Sequence, residues 1–167
     1  LGGVCSLVLL GHVIGLGAGA ESQIHQFEWS VSEGGEAGIT FHFGVQVDFI
    51  SVLMSTIVGV VGSCIFVYAL GYMKGDPGWS RFFAKFAFFA FSMLGITYST
   101  NFLQIFIFWE LVGVSSYLLI GYFYEKPSAA EAGKKAFMTN RIGDFGMTLG
   151  ILLLFFAVRD VFTGVDA

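Results

Sequence analysis

Glu110 lies near the middle of NFLQIFIFWELVGVSSYLLIGYF (residues 101–123), an apolar run long enough to cross a bilayer. Further along, Asn140, Asp144 and Thr148 recur at every fourth position, and Arg141 stands three residues before Asp144. An ionisable group at the bilayer centre costs about 2.5–3.5 kcal/mol on insertion scales. Such groups therefore face other helices or water, and they mark ion paths. The chemistry open to them is proton uptake and release rather than bond-making.

Helical spacing puts Glu110 on one face with Phe106, Gly113, Val114 and Tyr117. Gly113 allows a neighbouring helix or a file of water to approach, and Tyr117 offers a hydroxyl. A carboxyl removed from water keeps its charge only beside a cation, and no Lys or Arg of its own run can supply one. Two readings stay open for Glu110: a proton-transfer group, or a protonated side chain making one interhelical hydrogen bond. Arg141 and Asp144 likewise read as a local ion pair that lowers insertion cost, or as part of a polar stripe along a hydrated path with Thr148. These two are compatible. Lys134 and Lys135 are solvated anchors, or they border an inside entrance to that path.

The elements that must carry these groups follow from hydropathy. The chain is 56% hydrophobic and 12% charged, against about 25% charged in ordinary soluble domains. An all-α integral membrane protein is expected, a bundle of about five spanning helices. They are placed at 1–20, 46–73, 81–100, 101–123 and 136–158, with a truncated end at 159–167. The spans at 81–100 and 101–123 meet at the tight polar corner TYSTN. Lys85 is near enough to the start of its span to snorkel. The acidic loop 21–45 carries Glu21, Glu28, Glu33 and Glu36 without Lys or Arg, and its ITFHFGVQV (39–47) can form one strand of a short β-hairpin. The segments 74–85 and 124–135 are basic, so the positive-inside rule puts them inside and the acidic loop outside.

Other chemistries find little support. Cys5 and Cys64 fall in apolar segments, and their spacing suggests neither a disulfide framework nor a metal site. His12 in the first span reads as a packed residue before a relay, and nothing near His25 or His42 completes a metal site. GLGAG at 15–19 lacks the strand and acidic partner of a dinucleotide fingerprint. Asp48 is expected to cap a helix, and Asp76-Pro77-Gly78 to turn. No nucleic-acid partner is expected of a chain with net charge −4. It opens in mid-hydrophobic run without Met, as a piece of a longer polypeptide would.

The order VDFISVLM, YALGYMKGDPGWSRFFAKFAFF and NFLQIFIFWELVGVSSYLLIGYFYEKPSAAEAGKKAFMTNRIGDFGMTLGI resembles the largest antiporter-like subunit of proton-pumping NADH:quinone oxidoreductase. That subunit is L in bacteria, 5 in mitochondria and F in chloroplasts. The resemblance covers residues 46–158, an antiporter-like proton-channel region. It implies that Glu110, in FWELVG, is the family's central glutamate, paired with a lysine on a later helix that this chain lacks. Opening and closing of that pair accompanies proton transfer. Arg141 and Asp144, in NRIGDFG, would belong to the same network, with Thr148 and Tyr117 along the path. Ser115 stands where many members have Cys, and Tyr68 where many have His.

The resemblance also implies a proton-translocating subunit that holds no cofactor of its own. NADH, flavin, iron–sulfur clusters and quinone would be handled by other subunits. The implied partners are the other membrane and peripheral subunits, above all the neighbouring antiporter-like subunit, together with the lipid bilayer. The implied place is the bacterial inner membrane, with an organellar inner or thylakoid membrane as alternatives. Multisubunit sodium/proton antiporters of the Mrp type share FWEL and the DP…RFF turn, and hydrogenase-linked membrane subunits are further relatives. A non-transporting scaffold, with Glu110 and Asp144 only holding helices together, is the reading from a different class.

Overall fold

The computed structural model describes residues 8, 11, 23–30 and 40–163. The expected span 1–20, with Cys5 and His12, lies outside the described residues apart from positions 8 and 11. So do residues 21–22 and 31–39 of the acidic loop and the final residues, 164–167.

Among the described residues two strands and four helices follow one another. β1 (Gln23–Ser30) and β2 (Thr40–Val47) pair antiparallel, with Gln23 opposite Val47 and Ser30 opposite Thr40. The alternation in TFHFGVQV suits such a two-stranded ribbon. β2 runs directly into α1 (Phe49–Tyr72). Asp48 caps that helix as expected: its Oδ1 accepts the Ser51 N–H at 2.7 Å, while Ser51 Oγ accepts the Asp48 N–H at 2.8 Å. α1 ends at a turn in which Gly75 adopts φ 91°, a left-handed conformation that favours glycine. Asp76 then accepts the Gly78 N–H at 2.6 Å and the Tyr122 hydroxyl at 2.9 Å, which ties this turn to the one after α3.

α2 (Trp79–Thr97) and α3 (Phe102–Ile120) form an antiparallel pair, and α4 (Pro127–Thr163) packs on the other side of α3. Asn101 caps α3, its Oδ1 accepting the Gln104 N–H at 2.8 Å. α2 and α3 meet closely at Gly95, where an added Cβ would strike the Phe108 ring. Little large apolar surface is buried between helices. The buried positions include Ser51, Ser55 and Thr56 of α1, Ser92 of α2 and Ser115 of α3. Their hydroxyls return to carbonyls of their own helices, as in Thr56 to Val52 at 2.7 Å and Ser92 to Phe88 at 2.8 Å. Small residues at helix contacts let backbones approach, while large apolar side chains such as Val67, Ile142 and Leu153 lie exposed and would meet lipid or further helices.

The expected helical membrane architecture is present, with one difference in the elements. Among the described residues three helices are long and apolar enough to cross a membrane: α1, α3 and α4 over Pro127–Val158. α2, also expected as a span, carries Arg81 and Lys85 in its first two turns. The Lys85 ammonium donates to the Leu118 carbonyl at 3.0 Å, at the electronegative end of α3, and lies 5.3 Å from the Tyr122 ring centre. The difference is at 124–135, read as a loop. From Pro127 onward it is already the start of α4. Proline suits a first helical position, and SAAEAGKKA is rich in helix-forming residues.

Candidate functional site

The charged groups of the apolar runs meet at the α3–α4 contact. Arg141 of α4 donates through Nη1 to Oε2 of Glu110 on α3. The same nitrogen stands 3.8 Å from Oδ2 of Asp144, one turn further along α4. Asp144 is held from α3: its Oδ1 accepts the Trp109 indole N–H at 3.0 Å. The guanidinium lies over the Phe137 ring, 4.6 Å from its centre, and Phe137 is 5.4 Å from the Tyr117 ring. Side-chain exposure falls from 38% at Arg141 to 22% at Glu110 and 8% at Asp144. The cation thus sits at the margin, and the carboxylates turn inward.

Local sequence explains why these groups converge. Trp109 and Glu110 are consecutive, so they leave α3 about 100° apart and reach two different residues of α4. Arg141 and Asp144 share a face at a spacing of three, so one turn of α4 receives both. Gly113, one turn beyond Glu110, would bring an added Cβ to 4.0 Å from Asn140 Nδ2. A guanidinium does not deprotonate in proteins. Of the paired groups, therefore, only the carboxylates can exchange a proton.

Other positions singled out in the sequence lie apart from this contact. Thr148 donates to the Asp144 backbone carbonyl at 2.8 Å, a bond within its own helix. Tyr117 is partly exposed on the Glu110 face of α3. Lys134 and Lys135 are exposed, two turns into α4. Tyr68 is exposed on α1, its ring 5.8 Å from that of Tyr72. Cys64 is free and exposed. Among the described residues no His, Cys, Asp and Glu cluster could hold a metal ion.

Two contacts have no counterpart in the sequence reading. The resemblance implies a lysine on a later helix as the partner of Glu110; within the described residues Arg141 meets it. Trp109 was read only as part of an apolar run. The available signal was the WE pair opposite a stripe carrying both signs of charge.

Residues 36–83 match the family model for the N-terminus of NADH-ubiquinone oxidoreductase (complex I) chain 5. Residues 99–162 match the model for the NADH:quinone oxidoreductase/Mrp antiporter transmembrane region, which contains the whole α3–α4 contact. The chain belongs to the antiporter-like complex I chain 5 family. Among its chain 5 relatives, NAD(P)H-quinone oxidoreductase chain 5 of Picosynechococcus sp. is 48% identical over 141 residues, 83% of this chain and 20% of the relative. The chloroplastic subunit 5 of Amborella trichopoda is 45% identical over 146 residues, 84% of this chain and 19% of the relative. The chain spans about a fifth of the length of these relatives. A solved archaeal respiratory membrane complex, the membrane-bound sulfane sulfur reductase, contains a chain of similar fold. Its TM-score is 0.57 at 22% identity, covering 94% of this chain and 23% of that one. An antiporter-like complex I chain 5 segment is thus a multi-pass membrane element, consistent with α1, α3 and α4.

Proposed function

We propose that this chain forms part of a proton path in the membrane arm of an NAD(P)H:quinone oxidoreductase, with Glu110 as the group that takes up and releases the proton. The observation that carries this reading is the ion pair between Glu110 and Arg141, made across two helices able to span a membrane. An ionised pair is stable there while the two groups touch. Separating them in a dehydrated site favours proton uptake by the carboxylate, and bringing them together again favours release, with water access alternating between the two states. Asp144 is a second carboxylate within reach of the same cation. Tyr117 and Thr148 border the route, and Lys134 and Lys135 stand at its inside entrance, on the side carrying the basic loops.

In this reading NADH, flavin, iron–sulfur clusters and quinone belong to other subunits, and this chain binds none of them. Its partners are the other membrane and peripheral subunits, the neighbouring antiporter-like subunit in particular, and lipid. Relatives from a cyanobacterium and from chloroplasts favour a bacterial or thylakoid-type energy-converting membrane. The test is Glu110→Gln in the complete enzyme, with proton translocation measured beside substrate oxidation by an artificial acceptor. Translocation should be lost while oxidation persists. Full pumping by the Gln variant contradicts the role.

The second family model is shared with Mrp antiporters, which keeps sodium/proton exchange as the competing activity. Sodium-dependent transport by the complete assembly, abolished by the same substitution, would favour it.

A further inference from the structure

We infer that Trp109 is a positioning residue that, through Asp144, decides how firmly Arg141 is held by Glu110. The inference rests on the proton-path reading for its meaning in transport, but its geometry stands separately. Asp144 is the most buried of the three charged groups, with 8% of its side chain exposed. A buried carboxylate needs donors for its oxygens. Oδ1 has one in the Trp109 indole N–H at 3.0 Å. Oδ2 faces Arg141 only at 3.8 Å, beyond hydrogen-bond distance.

The indole N–H is a donor and never an acceptor, so it stabilises the Asp144 charge without neutralising it. Arg141 is thereby left to Glu110. The Trp109 ring itself is half-exposed on α3 while its N–H edge turns inward to α4. α3 therefore grips α4 at two adjacent points, one of them an ion pair and the other a fixed hydrogen bond. Without the N–H, Asp144 Oδ1 loses its donor. The cation, 3.8 Å from the other oxygen, Oδ2, needs to move by only about 1 Å to reach hydrogen-bond distance of the carboxylate left without a donor. Glu110 then loses its counter-ion. Trp109 so governs the pairing of a carboxylate it does not touch.

The experiment uses the complete complex in sealed membrane vesicles, with Trp109→Phe and, in parallel, the benzothiophene analogue of Trp at position 109. The analogue keeps the ring shape and lacks the N–H, so it holds the packing if Phe impairs assembly. Infrared difference spectra, assigned with Glu110→Gln, should show a carboxyl band of position 110 shifted from that of the unaltered complex. Proton translocation should fall by about tenfold or more, the weight of one hydrogen bond to a charged group. In an Asp144→Asn background the loss of Trp109 should add little, because no second carboxylate remains to draw Arg141 away. An unchanged carboxyl spectrum in the assembled analogue complex overturns the inference, as does an equal further loss in the Asn background. If Glu110→Gln pumps normally, the proton-path reading fails, while the spectrum still judges Trp109.

Discussion

Replacing Arg141 by Met should destabilise the assembled subunit more than replacing Glu110 by Gln, although each removes one member of the same pair. Breaking a fully buried pair from one side costs about 3–5 kcal/mol, and an exposed pair contributes about 0–1 kcal/mol. With 38% and 22% side-chain exposure at Arg141 and Glu110, the cost of Arg141→Met falls between, at about 2 kcal/mol. No substitute cation is near: Lys135 is six residues earlier on α4, about 9 Å along its axis. The Gln variant is different, because the freed guanidinium is 3.8 Å from Asp144 Oδ2 and can close on it. Its cost should drop to about 1 kcal/mol or less. The difference, about 1 kcal/mol or more, corresponds to about fivefold or more in rate. The assay is the rate at which complete complexes dissociate in native membranes at a fixed raised temperature, followed on native gels. Arg141→Met should decay at least about fivefold faster than Glu110→Gln, and the double variant should recover towards the unaltered complex. Equal or faster decay of the Gln variant, or simple additivity in the double, refutes the two-carboxylate arrangement.

Two further outcomes concern the scaffold that presents this contact. Gly95→Val should cost about 1–3 kcal/mol by overpacking against Phe108, lowering the amount of assembled complex, and Phe108→Ala should restore much of it. Gln104 holds β2 to the start of α3: its amide nitrogen donates to the Gly44 carbonyl at 2.8 Å and its oxygen accepts the Gly44 N–H at 3.2 Å. Gln104→Ala should cost about 1–3 kcal/mol by stripping the backbone groups of buried Gly44 of their partners, seen as faster hydrogen exchange at Gly44. Unchanged exchange there would mean that the hairpin is held by other contacts.

Much of the framework was legible because it is local. Asp48 could be assigned as a helix start from a short polar side chain before an apolar run, because capping operates within three residues. Asp76-Pro77-Gly78 announced a turn by the same logic. The alternation of TFHFGVQV pointed to a strand. The start of α4 is not legible from hydropathy, because EKPSAAEAGKK is polar and polarity reads as a loop, whereas proline followed by alanine-rich sequence extends a helix beyond its apolar part.

The residue types and spacings alone determined that charged groups lie inside long apolar helices, and that Arg141 and Asp144 share a face, since relations of three and four residues are intrinsic to one helix. Which cation serves Glu110 was decided only in the folded chain. That choice depends on the crossing, rotation and depth of α3 against α4, and no periodicity within a single helix encodes them. The same holds for the Trp109 bond to Asp144 and for the Gln104 clamp on Gly44. Each joins side chain to partner across tens of residues, where surface complementarity replaces helical spacing as the physical rule.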